Sequence, residues 1–107
     1  MILDDTLGAI VQQAAVTFAS QTNNTVIAGV LGKTIKILQL LLVGGGNVNI
    51  TLKSGTTALS GAIPLAANSA FSLNYNQLPL SCNSGDAFII TADAGSQVSG
   101  IVWYVQS

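Results

Sequence analysis

Apolar residues recur at every second position through most of this chain, in short runs separated by turn residues. The clearest run is Asn47–Lys53, where Val48, Ile50 and Leu52 alternate with Asn49, Thr51 and Lys53. Period two with one wet face predicts an antiparallel strand. Residues 70–75 repeat the pattern, with Phe71, Leu73 and Tyr75 set against Ser72 and Asn74. The longest apolar run is Thr34–Val43. Alternation puts Ile35, Ile37, Gln39, Leu41 and Val43 on one face and Lys36, Leu38, Leu40 and Leu42 on the other. A strand apolar on both faces belongs inside a sandwich or beneath a second subunit. Further strands are predicted over Thr25–Val30, Ala87–Ala92 and Gln97–Gln106. Two shorter pieces fall around Ala58-Leu59 and Ile63–Ala66, the latter held to an edge or irregular position by Pro64. Gln77–Cys82, with Pro79, reads as loop.

Turn chemistry punctuates these runs: Asn23-Asn24, Gly32, Gly44-Gly45-Gly46-Asn47, Ser54-Gly55, Ser60-Gly61, Ser84-Gly85-Asp86 and Ala94-Gly95-Ser96. The three consecutive glycines are free to take positive φ. Many short strands with regular turns predict an all-β domain, an antiparallel β-sandwich or jelly-roll-like fold, or a closed antiparallel barrel. The N-terminus is ambiguous. Leu7, Ile10, Val11, Ala14 and Ala15 are spaced as on a helix, and Asp5 or Thr6 could cap it, but Gly8 weakens it. Residues 1–13 are therefore expected to form an N-terminal arm or short helix. Residues 14–107 are expected to be a single β-sandwich domain whose first strand covers 14–21.

Charge changes the picture most. Charged residues make up 7% of the 107 positions, against roughly 25% in typical domains. There is no His, Arg or Glu, and polarity comes from 34 Ser, Thr, Asn and Gln residues. A folded chain of this mass exposes roughly 5,600 Å², about one charge per 800 Å². Monomers rarely expose apolar patches beyond a few hundred Å², so a permanent oligomer is expected. Lys33, Lys36 and Lys53 are the only basic side chains. They are too few to drive nucleic-acid binding by counterion release. The nine-residue apolar run Ile35–Val43 is far short of a bilayer span, so no membrane role is expected. The start Met-Ile-Leu-Asp-Asp lacks the basic region of a secretory signal. The lone Cys82 cannot form an internal disulfide. It is expected to be a buried small hydrophobe in a protein assembled in a reducing cytoplasm.

The chemistry-bearing inventory is thin. Without His there is no Ser-His-Asp or Cys-His arrangement and no usual general base. One Cys cannot build a zinc cluster. Asp86 and Asp93 flank one predicted strand and lie more than about 20 Å apart along it, too far for a glycosidase pair. Both have turn neighbours and read as turn residues. Asp4 and Asp5 read as solvated carboxylates rather than a weak calcium site. Gly44-Gly45-Gly46 is not followed by the Gly-Lys-Ser/Thr of a phosphate loop and reads as a hairpin turn. No catalytic residue, cofactor or metal site is expected. Phe18, Phe71, Tyr75, Phe88, Trp103 and Tyr104 read as core or interface aromatics. Trp103 and Tyr104 are adjacent on a strand and so face opposite ways; one is expected in the core and the other at a subunit contact.

The segments Gly32-Lys-Thr-Ile-Lys-Ile-Leu-Gln-Leu-Leu-Leu-Val43, Val48-Asn-Ile-Thr-Leu-Lys-Ser-Gly-Thr-Thr-Ala-Leu-Ser-Gly61 and Ile63-Pro-Leu-Ala-Ala-Asn68 resemble small virion proteins of tailed bacteriophages and prophages. Ser84-Gly-Asp-Ala-Phe-Ile-Ile90 and Gly100-Ile-Val-Trp-Tyr-Val105 add to the likeness, which is greatest to head decoration or cement proteins and covers roughly residues 30–105. It rests on a strand-and-turn pattern and carries no reactive motif. The resemblance implies a β-sandwich or jelly-roll homotrimer with no enzymatic activity, bound to the major capsid protein on the outer capsid surface of a virion. On that reading Leu38, Leu40, Leu42, Trp103 and Tyr104 are subunit-interface candidates. Ile2, Leu3 and Leu7 in the arm are capsid-docking candidates. The alternative is a tail-fibre or tail-tip module recognising a host-surface glycan through Tyr75, Trp103 or Tyr104 in a groove lined by Asn and Gln.

Overall fold

The structure, a computed structural model, describes residues 3–4, 9–19, 22–74 and 80–107. A short antiparallel ladder joins β1 (Leu3–Asp4) to β2 (Ala9–Ile10). The remaining strands are β3 (Gln12–Phe18), β4 (Thr22–Ile27), β5 (Ile35–Gly44), β6 (Val48–Ser54), β7 (Thr57–Ala58), β8 (Ile63–Leu65), β9 (Ala70–Asn74), β10 (Leu80–Ser81), β11 (Phe88–Ala92) and β12 (Val98–Gln106). They form two antiparallel sheets packed together. In sheet one β12 lies between β3 and β5, and β9 and β10 follow one another along the far side of β5. In sheet two β11 lies between β4 and β6, and β8 and β7 occupy the far side of β6.

The chain crosses between sheets at most connections: β3, β5, β9–β10 and β12 in sheet one, β4, β6–β8 and β11 in sheet two. This is the jelly-roll order of two interleaved Greek keys, so the expected sandwich is present. The accessible surface is 5685 Å².

The core follows from period-two burial. Val48, Ile50 and Leu52 of β6 and Phe88, Ile90 and Ala92 of β11 face inward from sheet two. Val16 of β3 and Val98 and Val102 of β12 meet them from sheet one.

Strand β5 departs from simple alternation. Trp103 pairs with Gln39 and Tyr104 with Ile37, so Leu38 is an extra residue, a β-bulge. Before the bulge Ile35 and Ile37 point inward; after it Leu40 and Leu42 do, and all four are fully buried. The strand is apolar on both faces because it changes face midway. Leu40 and Leu42 are therefore core residues, not subunit contacts, and the apolar side chains that point outward beyond the bulge are Leu41 and Val43, 38% and 39% exposed.

Other expectations shift for tertiary reasons. The strand expected from residue 14 begins at Gln12, because β3 pairs with β12 over seven consecutive residues, and Ala9-Ile10, placed in an arm or short helix, is strand paired with β1. A hydrogen-bonded edge outweighs a weak helical spacing. Asn23 and Asn24 are not a turn but part of β4, paired with Thr91 and Ile90. Leu80-Ser81, read as loop, pairs with Ile37 and Lys36. The glycine turn at 44–46 has no positive φ; the left-handed glycines among the described residues are Gly32, Gly55 and Gly85. Closeness is what requires small residues there. A side-chain carbon on Gly46 would stand 2.7 Å from Ser96 Oγ, and one on Gly45 3.2 Å from the Gln97 carbonyl.

Candidate functional site

Any reaction would need polar or titratable groups. Two of the carboxylates are tied into turns. Asp93 Oδ1 accepts the Asn49 backbone N–H at 2.8 Å, and its Oδ2 accepts Asn49 Nδ2, also at 2.8 Å. The Asp93 N–H returns a bond to the Asn49 carbonyl at 3.1 Å. These donors hold the Asp93 carboxyl below the usual carboxylate range. A groove of ≈ 390 Å³ opens beside this pair, lined by Asn47, Pro64, Leu65 and Ala94 among others. Its polar atoms serve the fold, since Asn47 Oδ1 accepts the Ala67 N–H at 3.1 Å.

The second cluster joins Ser54, Cys82 and Asp86. Ser54 is fully buried; its hydroxyl donates to Asp86 Oδ2 at 2.9 Å and accepts the Asn83 N–H at 2.8 Å. Burial pushes the Cys82 thiol up, the Ser54 hydrogen bond opposes this, and the Asp86 charge adds to it. Cys82 is therefore a protonated, enclosed thiol, the state least suited to nucleophilic attack. Gly55, at φ 58, lies against the Asp86 carboxylate. The cluster ties the β6–β7 turn to the β10–β11 connection, and full burial keeps the Ser54 hydroxyl away from any substrate. Among the described residues no three His, Cys, Asp or Glu side chains gather in a way that could hold a metal ion.

The surfaces of the two sheets differ more than any pocket does. Ladder partners share a face, so the register can be read as rungs. On the outer face of sheet one, one rung runs Ala15–Ile101–Leu41–Ser72. The rungs beside it are Gln13–Trp103–Gln39 and Thr17–Ser99–Val43–Ala70. Lys36 is the only charged side chain placed on this face among the described residues. The outer face of sheet two is polar instead. It carries Asn23, Thr91 and Thr51 on one rung and Thr25, Ile89 and Lys53 on another, with Thr91 Oγ1 donating to Asn23 Oδ1 at 3.0 Å.

The predicted site residues divide accordingly. Trp103 lies on the outer face of sheet one, half-buried between Gln13 and Gln39. Tyr104 packs against the core and its hydroxyl donates to Gln12 Oε1 at 3.2 Å, so it is the inward member of the pair. Leu38 is the half-buried bulge residue. Ile2, Leu7 and Tyr75 lie outside the described residues, and Leu3 is described only as a backbone position in β1. Sequence reading missed Leu41, Val43 and Ile101 as the apolar surface, because the bulge that turns β5 over leaves no mark in the alternation. It also missed Leu31, 97% exposed beside Val30 at 44%. The Lys33 N–H donates to the Val30 carbonyl at 2.9 Å and Gly32 has φ 79, which makes a tight turn with Leu31 at its tip. The Val-Leu-Gly-Lys run is the signal that could have found it.

No family model matches the chain, and no curated protein matches it. Among solved structures the chain is similar to a protein of Bacillus endospore appendages, described as a family of disulfide-linked pili, at 18% identity and a TM-score of 0.54. The match covers 91% of this chain and 85% of that one. At this identity the likeness is one of fold alone.

Proposed function

We propose that this chain is a non-enzymatic structural subunit that works by associating with copies of itself on the surface of a larger particle. The observation that carries the reading is the outer face of sheet one, where Ala15, Ile101, Leu41 and Val43 lie exposed or half-exposed with a single charge among the described residues, Lys36, at one end. A second copy is the occupant that fits. The face has almost no charge with which to select an unlike partner, and its central rung is apolar across three neighbouring strands. A head decoration protein, trimeric and seated on a phage capsid, is the form the sequence resemblance implies. The fold neighbour is a subunit of a pilus described as disulfide-linked. One buried Cys82 per chain is unsuited to that kind of linkage, so association here is non-covalent. Light scattering after size exclusion tests the reading. The expected result is an oligomer that Leu41→Lys and Ile101→Lys dissociate while the far-ultraviolet spectrum is kept. A strictly monomeric wild-type chain at high micromolar concentration overturns it. Immunogold labelling of particles then distinguishes head from tail.

A second reading rests on the rung Gln13–Trp103–Gln39, an indole between two amides. That combination suits a sugar ring, whose apolar face stacks on an aromatic while its hydroxyls meet amides. Glycan-array binding lost in Trp103→Ala supports it; no binding to any glycan excludes it.

A further inference from the structure

The outer face of sheet one is not large enough to hold a stable assembly by itself. Four strands by seven residues cover roughly 19 by 24 Å, about 450 Å². A standard interface takes about 800 Å² from each partner. A second contact would enlarge the interface, and the sheet edges indicate where it lies.

An edge strand presents unpaired N–H and C=O groups, which proteins blunt with Pro, charge, bulges or very short strands. Sheet two uses these devices on both sides. β8 is three residues long and contains Pro64, and β7 has two residues. β4 carries a bulge opposite Phe88 and Ile89. Sheet one uses one of them, the two-residue β10 beside β9, and its two longer edge strands use none. β3 follows β12 for seven residues without a register shift, and contains no Pro, Gly or charged residue. β9 pairs with β5 over five residues, Ala70–Asn74, again without Pro, Gly or charge. Gln12, Gln13, Ala15 and Thr17 on β3 are exposed, as are Ala70 and Ser72 on β9. The strand directions are also compatible. Every neighbouring pair in sheet one is antiparallel and the sheet is four strands wide, so β3 and β9 run in opposite directions. A second copy set alongside in the same orientation brings its β9 antiparallel to the β3 of the first.

We infer that β3 of one copy pairs with β9 of the next, so that sheet one continues from subunit to subunit. The inference rests on the self-association reading above and supplies its geometry. The contact is heterologous, joining two different edges. It therefore closes into a ring or extends as an open array, and does not stop at a two-fold dimer. Backbone hydrogen bonds provide the attachment, as in strand addition generally.

Engineered cysteines test it. Ala15→Cys and Ser72→Cys are introduced together, and Gln13→Cys or Thr17→Cys replaces Ala15→Cys in parallel chains to span two-residue register steps. Within one chain these sites are separated by three strand spacings, about 14 Å, beyond disulfide reach. Mild oxidation is expected to give a ladder of dimers, trimers and larger species in at least one double variant, with the single variants remaining uncrosslinked. The edge-blocking double variant Gln13→Lys/Thr17→Lys is expected to shift the scattering mass to that of the monomer while the far-ultraviolet spectrum is kept. A monomeric wild-type chain removes both the inference and the reading beneath it. Oligomers that give no ladder and ignore the edge lysines overturn the inference and leave self-association standing. A single β3 cysteine that crosslinks only to dimers shows two-fold β3–β3 pairing and likewise overturns it.

Discussion

The face reversal in β5 makes a quantitative prediction at two adjacent leucines. Leu40 is fully buried after the bulge and Leu41 is 38% exposed. Leu→Ala removes three carbons, about 2.4 kcal/mol of transfer free energy at full burial. At Leu40 the cavity left between the sheets adds to this, for a total loss of about 3–4 kcal/mol. At Leu41 only the buried part of the side chain counts and no enclosed cavity forms, so the loss is about 1.5 kcal/mol. For a domain of this length these losses correspond to melting shifts of about 15–25 °C and about 6–10 °C. Urea unfolding followed by the fluorescence of the single Trp103 and by circular dichroism reads both. The titrations are run at protein concentrations low enough that the midpoint no longer moves on dilution, because association raises apparent stability. Under those conditions, equal losses at the two positions, or a greater loss at Leu41, would refute the reversal at Leu38.

Three further outcomes follow from the packing and the turns. Gly100→Ala should be severely destabilising, more than about 4 kcal/mol, because its new carbon would collide with the Leu41 carbonyl oxygen on the neighbouring strand; expression yield and thermal melting report it. Asp93 has a lowered pKa in the fold, so its contribution is fully present above the unfolded carboxylate range and disappears as pH falls through the lower folded value. Urea midpoints for wild type should accordingly fall on acidification below about pH 4, and Asp93→Asn should show a smaller fall. Cys82 should be unreactive to a thiol reagent in the native protein and react at once on unfolding, because burial both encloses it and raises its pKa.

The β-strands of this chain were legible because their signal is local. Val48, Ile50 and Leu52 alternate with Asn49, Thr51 and Lys53, and each small choice of in or out is written at consecutive positions. The scarcity of charge was equally legible, and it carried the expectation of association. The interaction surface was not. Leu38, Leu40, Leu41, Leu42 and Val43 are indistinguishable by composition, and an outward leucine differs from an inward one only through the extra residue opposite Trp103 and Tyr104. Asn23 and Asn24 looked like a turn because amide side chains favour turns, yet pairing with Thr91 and Ile90 holds them in a strand. Leu80-Ser81 follows Pro79 and has no alternation to speak of; only the unpaired flank of β5 makes it a strand.

By itself the sequence determined an all-β sandwich, the inward residues of its regular strands, a lone cysteine in the core and a surface short of charge. Those properties depend on residue type and on spacing over a few positions. The tertiary structure alone decided which leucines of β5 meet the solvent, which strands lie at an edge, and which sheet leaves its edges unguarded. Such features arise from pairing between residues far apart in the chain. Ile101 meets Leu41, and Ala15 meets Ile101, only once the sheet has formed.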